Sequence, residues 1–565
     1  MSYRAPLNDF RLMMEHVVGY DRVASTELFA EAGQDTAQAI LSEAAKLAED
    51  ILVPLQRVGD LTPAVLKNGV VETSPGFAEA YQTIIEGGWT SISADPENSG
   101  MGLPATLTSM VNEMMSSACL SLQLQVLMSQ GQIEAIEAHA SDALKEKYLP
   151  KLISGEWTGT MNLTEPQAGS DVGALTTKAE PNGDGSYAIT GQKIFITWGD
   201  NDFTENVIHL VLARLPDAAP GSKGISLFIV PRNMVGDDGS VGEANSLRVV
   251  SLEHKLGIHG SPTCVMSYEG ATGWLVGEPH AGLSAMFTMM NNARLGVGIQ
   301  GIGVAEAAYQ AALAYAHERK QGRSETGTIF GHADVRRMLA TMKADIFTAR
   351  AIALDCAVGL DLGRTGDAGM AARAAFLTPI AKAFGTDIGH EAAHLGVQVH
   401  GGMGYIEETG AAQFARDVRI TSIYEGTNGI QAMDLVGRKL MDGGDAAFAL
   451  LDEIEAGAEE ARSVMPDLAE PVWQAAETLR ETVESLLARD MAERFGGSVP
   501  FLRGFARVLG AHYHLRAAMA ERGGAHEKLA RFYITRLLPE YHGLLAHAQQ
   551  DNAGLMALNA DDLAV

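Results

Sequence analysis

The sequence is poor in cysteine and in basic side chains. Only 3 of its 565 residues are cysteines, namely Cys119, Cys264 and Cys356. Their wide spacing excludes a disulfide framework and a cysteine zinc site, and it fits a reducing compartment. Lysine and arginine total 42 against 70 aspartates and glutamates, which gives a net charge of −28. Such an acidic surface repels phosphate backbones and anionic lipids, so nucleic-acid and membrane partners are disfavoured.

The sequence also lacks a long apolar run. The least polar long segment, 295–316, contains Glu306 and is mostly Ala and Gly, which favours a buried helix over a membrane span. The opening MSYRAPLNDF has no basic-then-apolar signal. We therefore expect a cytoplasmic protein, and the chain length predicts two to four domains.

Helical and β patterns follow one another in blocks. Residues 36–60 and 105–153 read as helices, with apolar side chains at three- to four-residue spacing in the second. Short alternating segments separated by turn residues then predict a mostly antiparallel β domain. Helical patterns return near residue 280, and Gly443-Gly444 marks a break. The predicted parts are an N-terminal extension (1–35), a helical domain (36–155), a β domain (156–278), a helical bundle (279–442) and an additional helical domain (443–565).

One glycine motif resembles a nucleotide fingerprint. Residues 296–301, GVGIQG, match G-x-G-x-x-G, but that fingerprint requires a preceding strand. The preceding SAMFTMMNNAR reads as helix, so we expect these glycines to allow close helix packing. No histidines are paired at clear metal-ligand spacing, and no metal site is predicted.

Two loop segments carry candidate chemistry. Residues 161–179, MNLTEPQAGSDVGALTTKA, offer hydroxyls and free backbone N–H groups, which suit an anion or a heteroaromatic edge as well as a structural loop. In TSIYEGTNGI, residues 421–430, Glu425 follows Tyr424 and directly precedes turn-forming residues. Those ten residues alone favour an exposed loop glutamate, because glutamate is mostly exposed.

Five motifs in a fixed order resemble the acyl-CoA dehydrogenase flavoprotein family. They are TEPQAGSD, KIFIT at 193–197, ERKQGR at 318–323, VQVHGGMGY at 397–405 and RDVRITSIYEGTNGIQ at 416–431. The resemblance covers about residues 36–440 and implies an α+β fold. In that fold an N-terminal helical domain precedes a middle antiparallel β domain and a C-terminal four-helix bundle; this chain adds an extra C-terminal helical domain. The opening residues and the segment after 445 look like the longer bacterial subgroup that includes 3-methylmercaptopropionyl-CoA dehydrogenases.

The resemblance implies FAD as cofactor and an acyl-CoA thioester as substrate. Glu425 would remove the α-proton while the β-hydride passes to flavin N5, and an electron-transfer flavoprotein would accept the electrons. A carboxylate with an ordinary pKa is a poor base for a thioester α-proton, so burial beside Tyr424 and the flavin would have to raise the pKa of Glu425. The Glu425 N–H and a flavin ribityl hydroxyl would bind the thioester oxygen.

The resemblance also assigns binding residues. Those expected at the flavin ring or the thioester are Leu163, Thr164, Gly169, Ser170, Phe195 and Thr197. Arg319 would bind the pyrophosphate, while Gln398 and Gly402 would reach the adenosine half across a subunit interface. Thr427 and Gly429 would also contact the cofactor, although many relatives carry Gln or Glu in place of Gly429. Those expected at the substrate are Ser170, Asn291, Arg294, Tyr424 and Gly426.

Several assignments stay open at this point. Arg294 either positions CoA or lies on a helix surface. His400 is either a satisfied helix-end histidine, which we favour, or part of the acyl pocket. Four methionines of residues 105–130 either pack in the core or line a cavity that tolerates several acyl shapes: Met110, Met114, Met115 and Met128. The acyl group itself, methylthiopropionyl, medium-chain or long-chain, is not determined.

Other functions on the same fold are an acyl-CoA oxidase that uses O₂, a DNA-associated flavoprotein and a nitroalkane oxidase. Residues 441–565 hold 20 acidic and 11 basic side chains, a net −9, which argues against a DNA-binding tail. A nitroalkane oxidase typically has Asp as its base, whereas this chain has Glu425. The extra helices would cover the bundle face that a second dimer uses in tetrameric relatives, so we expect a homodimer.

Overall fold

A computed structural model describes residues 3–564, except for the side chain of Asn291. The helices before the β domain are α1 (Leu7–Leu12), α2 (Asp21–Ala24), α3 (Gln34–Lys46), α4 (Val53–Leu61), α5 (Phe77–Glu86), α6 (Ala105–His139) and α7 (Asp142–Ile153), with π turns at Met13–Val17 and Leu47–Leu52. The N-terminal extension packs into the main core, where Phe10 and Met13 are fully buried.

A short β-hairpin, absent from the predicted elements, interrupts the helical N-terminal part. Its strands are β1 (Val65–Lys67) and β2 (Val70–Glu72). Asn68 and Gly69 connect them with φ of 53° and 82°. Two successive left-handed residues of this type close the tightest hairpins, so the Asn-Gly pair was the available signal.

The middle part is a mostly antiparallel β domain, as predicted. Its strands are β3 (Trp157–Asn162), β4 (Lys178–Pro181), β5 (Tyr187–Thr197), β6 (Asn206–Arg214), β7 (Ile225–Pro231), β8 (Asn233–Val235), β9 (Val241–Ala244), β10 (Leu247–Leu252) and β11 (Thr263–Val276). The main sheet has the order β10-β11-β5-β4-β6-β3, and β7 pairs with β11 and β6. Strand β3 runs parallel to β6, and β4 meets β6 in a single parallel pair.

A bulge in β5 points one aromatic ring out of the sheet. Lys193 pairs with Met266 and Ile196 with Cys264, so two residues of β5 lie opposite one residue of β11. One of the two is Phe195, which has a φ of 61° and is 59% exposed. Bulges of this kind bend a strand and redirect a side chain, and they are common beside functional sites.

The C-terminal half is helical. Its elements are α8 (Gly282–Glu318), α9 (Ala333–Arg364), α10 (Ala368–His400), α11 (Ala411–Val418), α12 (Asn428–Val436), α13 (Asp445–Arg462), α14 (Pro466–Leu487), α15 (Met491–Gly496), α16 (Ser498–Ala520), α17 (Ala525–Phe532), α18 (Glu540–Ala548), α19 (Ala553–Ala557) and α20 (Ala560–Leu563). Among the described residues, no helix has the length and apolarity needed to span a membrane, and none of the three cysteines is paired.

The glycine motif 296–301 lies inside α8, and its expected role in helix packing is confirmed. A Cβ on Gly298 would lie 2.6 Å from the carbonyl oxygen of Ala381 in α10. A Cβ on Gly301 would lie 2.6 Å from that of Gly385. Residue numbers rise together at these contacts, so α8 and α10 run in parallel with their backbones nearly touching.

Buried ion pairs join the helical parts. Arg350 of α9 is fully buried and donates to Glu113 of α6 at 2.6 Å and to Glu306 of α8 at 2.7 Å. In the additional helices, Arg507 of α16 forms a buried ion pair with Asp345 of α9. Charges removed from water are stable only when they are paired, so these contacts restrict how the helices can pack.

We expect Arg350→Met to destabilise the protein strongly. The substitution leaves Glu113 and Glu306 buried without their cation, which costs about 3–5 kcal/mol. The thermal unfolding midpoint should therefore fall clearly. The control is Arg337→Met, which removes a largely exposed pair with Asp334 worth about 0–1 kcal/mol. Equal midpoints for the two variants would contradict the structural role of Arg350.

Candidate active site

Glu425 lies in a tight turn between two short helical segments. A single 3₁₀ turn, Arg419–Ser422, precedes it, and α12 follows with Thr427 as its N-cap, whose hydroxyl accepts from the Ile430 N–H at 3.3 Å. Glu425 and Gly426 both have left-handed backbones, with φ of 54° and 81°. A non-glycine residue in this conformation is strained, and such strain is concentrated at functional sites.

The side chain of Gln431 holds this turn. Its Nε2 donates to the carbonyl oxygens of Glu425 and Gly426 at 3.3 and 3.2 Å. Glycine is favoured at Gly426 by its φ, and a Cβ there would lie 2.7 Å from the same nitrogen and displace the Gln431 amide from the turn. No described residue accepts a hydrogen bond from the Glu425 N–H. That donor is thus available to a ligand.

Burial raises the pKa of Glu425 to about 7, although the cations Lys382 and Arg294 act in the opposite direction. The carboxylate is therefore not the exposed loop glutamate that its ten-residue context favours. A carboxyl with a pKa near neutral pH exchanges protons readily, and this is the property required of a general base.

Lys382 is a site residue that is not among those predicted from the sequence. It is fully buried in α10, and its Nζ donates to Asn428 Oδ1 at 3.0 Å, at the first residue of α12. Burial lowers the pKa of Lys382 to about 8, while Glu425 and Asp387 raise it. A single lysine within the apolar run TPIAKAFG was the available signal, because a buried lysine needs a partner.

Tyr424 begins a hydrogen-bonded row of side chains. Its hydroxyl donates to Gln300 Oε1, and Gln300 Nε2 donates to Gln123 Oε1 of α6 at 2.8 Å. Gln300 belongs to the glycine motif, so the close approach of α8 to α10 also positions this amide. The row connects the turn at Glu425 with helix α6.

Arg294 is buried and does not lie on a helix surface, so that alternative was wrong. Its Nη1 lies 3.8 Å from Asp434 Oδ2, its guanidinium faces the Phe287 ring, and its Nε has no acceptor among the described residues. Asn291 lies one helical turn earlier in α8, but its side chain is outside the described residues.

The loop 163–170 is fixed by a buried carboxylate. Glu165 pairs with Lys193 at 2.8 Å, and Lys193 also donates to the Leu163 carbonyl at 3.0 Å. Burial would raise the pKa of Glu165, but Lys193 and the neighbouring threonine donors lower it to about 2. The Ile194 N–H donates to the Thr164 carbonyl at 3.0 Å, which joins this loop to the bulge of β5.

The surface beside this loop is open. Gly169 and Ser170 are exposed, and a Cβ on Gly169 would meet no atom within 4 Å. Phe195 is exposed in the bulge of β5 that Ile194 joins to this loop, and Thr197 ends β5 opposite Thr263. The following residue, Trp198, donates its indole N–H to the Ser121 carbonyl of α6 at 3.0 Å. The end of β5 and the row from Tyr424 therefore both reach α6, at Ser121 and Gln123.

A second group of predicted residues lies at the far end of the bundle. Arg319 follows α8, Gln398 lies at the end of α10, and Gly402 lies in the 3₁₀ turn just after it. Tyr315 and His400 stack at 4.4 Å between the two helix ends. Arg319 is 19 residues beyond Gln300, or about 28 Å along the helix. The structure thus separates this group from Glu425 of the same chain.

The remaining predicted residues have clear environments. His400 is a satisfied helix-end histidine, because its Nδ1 lies 2.7 Å from the Gly396 carbonyl. The Thr427 hydroxyl caps α12, and Gly429 is exposed. The four methionines of α6 are buried in core clusters: Met110, Met114, Met115 and Met128. Among the described residues, no group of His, Cys, Asp or Glu could hold a metal ion.

Profiles of one protein family match almost the whole chain. The acyl-CoA dehydrogenase N-terminal domain matches residues 34–156, the middle domain 160–271 and the C-terminal domain 280–441. A further profile, described as acetyl-CoA dehydrogenase C-terminal like, matches residues 450–559. The additional helices therefore belong to a recognised part of the family.

Individual proteins agree with the profiles. The 3-methylmercaptopropionyl-CoA dehydrogenase of Ruegeria pomeroyi is 45% identical over 89% of this chain and 88% of its own length. The crystal structure of Caenorhabditis elegans ACDH-11 with C11-CoA has a TM-score of 0.79 at 20% identity, over 94% of this chain and 91% of that one. An acyl-CoA dehydrogenase of Bacillus anthracis complexed with FAD has a TM-score of 0.76 at 21% identity, over 94% and 90%. The chain belongs to the acyl-CoA dehydrogenase family.

Proposed function

We propose that this protein is an FAD-dependent acyl-CoA dehydrogenase in which Glu425 removes the α-proton of the thioester. The observation that carries the proposal is the strained, half-buried turn at Glu425, where burial raises the pKa of the carboxyl to about 7. A base with this pKa can take a proton from a weak carbon acid near neutral pH. FAD, when bound, accepts the β-hydride.

The described residues fit FAD. The exposed ring of Phe195 and the free space at Gly169 suit a flat heteroaromatic group. Leu163, Thr164, Ser170 and Thr197 would complete this side of the flavin site. Arg319 is exposed, and its guanidinium fork suits the paired oxygens of a pyrophosphate.

The turn also supplies the donor that the thioester needs. Negative charge develops on the thioester oxygen as the α-proton leaves, and a donor fixed in advance stabilises that charge. The unpaired N–H of Glu425 belongs to the same residue as the base, so the turn held by Gln431 orients both groups together. Arg294 and Lys382 hold positive charge near the carboxylate and favour its ionised form.

Relatives of this protein suggest which substrate and which electron acceptor to test first. We assign 3-methylmercaptopropionyl-CoA as the first substrate to test, because a relative with that activity in its name is 45% identical. Short- to long-chain fatty acyl-CoA thioesters are the alternatives. An electron-transfer flavoprotein would take the electrons, in a cytoplasmic location, and efficient turnover with O₂ alone would instead identify an oxidase.

A homodimer would complete the site. The far group at Arg319, Gln398 and Gly402 is too distant from Glu425 to serve the same flavin ring within one chain. A second copy could bring this end of the bundle to the first copy's flavin site. The additional helix α16 packs on α9, where Gly510 lies against Thr348, and covers the face that a further dimer would need.

Replacing the base should stop the chemistry but not the binding. We expect Glu425→Gln to purify with FAD and to be reduced by 3-methylmercaptopropionyl-CoA about 10²- to 10⁴-fold more slowly than wild type, which is the typical contribution of a general base. The measurement is anaerobic bleaching of the flavin band. Glu481→Gln, at an exposed position on α14, is the control. Unchanged bleaching in Glu425→Gln would reject Glu425 as the base.

Lys382 should set the pH at which the base works. Activity needs the ionised carboxylate, so kcat/KM should rise with pH through an apparent pKa of about 7. Lys382→Met removes a cation that lowers the pKa of Glu425, so the profile should move to higher pH. A purely structural role would lower the rate without moving the profile. Lys46→Met, at an exposed lysine on α3, should leave it in place.

Two inactive variants should restore activity when they share a dimer. Arg319→Ala should bind FAD weakly, and Glu425→Gln should not oxidise substrate. The two variants would be co-expressed with different affinity tags. A mixed dimer would then contain one site that combines the intact Glu425 of one chain with the intact Arg319 of the other. We expect activity in the doubly tagged fraction, at a mass of twice 59.9 kDa. An inactive mixed dimer, or a stable tetramer, would contradict this arrangement.

A further inference from the structure

A cavity lies between the hairpin of the N-terminal part and the β domain. Its volume is about 530 Å³, which is within the range of about 300–1,000 Å³ that ligand sites usually have. Residues 63–66, which lead into β1, form one part of the lining, and residues 250–255 and 261–263 of the β domain form the other. None of the residues assigned to the candidate active site lines this cavity. Ligand sites are common at such boundaries between domains.

Lys255 brings a positive charge to the cavity. The residue is only partly exposed, and burial lowers the pKa of its ammonium to about 8. Among the described residues, this ammonium donates to one acceptor, the carbonyl oxygen of Ser261 at 2.9 Å. A lysine ammonium has three donors, so two are left for a ligand. A partly buried cation that lines a cavity therefore favours an anionic ligand.

The loop that carries Lys255 is held in place from several sides. His259 Nε2 donates to the Lys255 carbonyl oxygen at 2.9 Å, and its Nδ1 lies 2.9 Å from Asp60 Oδ1. The Ile258 N–H donates to the buried carboxylate of Asp417 at 2.6 Å. A cation on a fixed loop binds an anion at a smaller cost in ordering than a cation on a mobile loop does.

Much of the remaining lining is apolar, which indicates the rest of the ligand. The apolar lining residues include Pro63, Val65, Leu66, Val250 and Leu252. Val65 and Val250 are 47% and 41% exposed, so an aliphatic chain in the cavity would remove apolar surface from water. Glu253 also lines the cavity, and its negative charge opposes a dianion such as phosphate more strongly than a monoanion.

We propose that this cavity is a second ligand site, which binds a monocarboxylate with a medium-length aliphatic chain. The two carboxylate oxygens accept from the ammonium of Lys255, and the chain lies against the apolar side chains of the hairpin and of β10. This site is distinct from the one at Glu425, and the inference does not use the proposed dehydrogenase function.

The test is a calorimetric titration of the FAD-loaded protein with octanoate. An excess of 3,3-dimethylbutyryl-CoA, a thioester that cannot be oxidised, keeps octanoate out of the acyl-CoA site. Wild type should bind octanoate more tightly than 1-octanol, which lacks the charge, and more tightly than inorganic phosphate, which lacks the chain. Lys255→Met keeps an apolar stem and removes the ammonium, so octanoate should bind about 10- to 100-fold more weakly. Lys67→Met, at an exposed lysine outside the lining, is the control.

A second variant tests the cavity without changing its charge. Val65→Trp places a large ring in the lining and should also weaken octanoate binding, whereas Val70→Trp, on the other strand of the hairpin and outside the lining, should not. Octanoate that does not bind to wild type, or that binds equally well to Lys255→Met and Val65→Trp, overturns this inference, as does 1-octanol that binds as tightly as octanoate. A protein that binds octanoate as expected but oxidises no thioester overturns the proposed function and leaves this inference standing.

Discussion

The close parallel packing of α8 against α10 is the constraint on which the site depends. Side chains larger than hydrogen at Gly298, Gly301 or Gly385 would meet the backbone of the opposite helix. With glycine there, Gln300 and Lys382 approach the turn at Tyr424 and Glu425 from two neighbouring helices. With a wider helix separation the turn could not keep both contacts, so a motif that resembles a nucleotide fingerprint serves here to bring a base and its neighbours together.

The site balances two opposing effects on one carboxylate. Burial favours the neutral form of Glu425, whereas Lys382 and Arg294 favour the ionised form, and the resulting pKa is near neutral pH. The same turn leaves the Glu425 N–H free and is held by Gln431 rather than by a helix. Proton removal and stabilisation of the thioester oxygen therefore depend on one short segment, whose backbone strain is compensated by the packing around it.

The order of helical and β parts was predictable because long elements carry clear periodicity, and the helical context of GVGIQG correctly excluded a nucleotide fingerprint. The hairpin at Val65–Glu72 was missed because three-residue strands show no period; only its Asn-Gly turn was visible. Glu425 could be found only through the family motifs. Lys382 could not be found in this way, because it is a single charged residue in an apolar stretch of α10 whose partner, Asn428, comes from another element. The burial of Arg294 was hidden for the same reason, since α8 is apolar on most of its circumference.

The most direct test of the account isolates proton removal from hydride transfer. A thioester without hydrogen on its β-carbon, such as 3,3-dimethylbutyryl-CoA, cannot be oxidised but still has α-protons. Incubated with the FAD-loaded enzyme in D₂O and followed by NMR, its α-protons should exchange with a rate that rises with pH through about 7, and Glu425→Gln should abolish the exchange. Exchange at the wild-type rate in Glu425→Gln would show that another group removes the proton and would contradict the central claim.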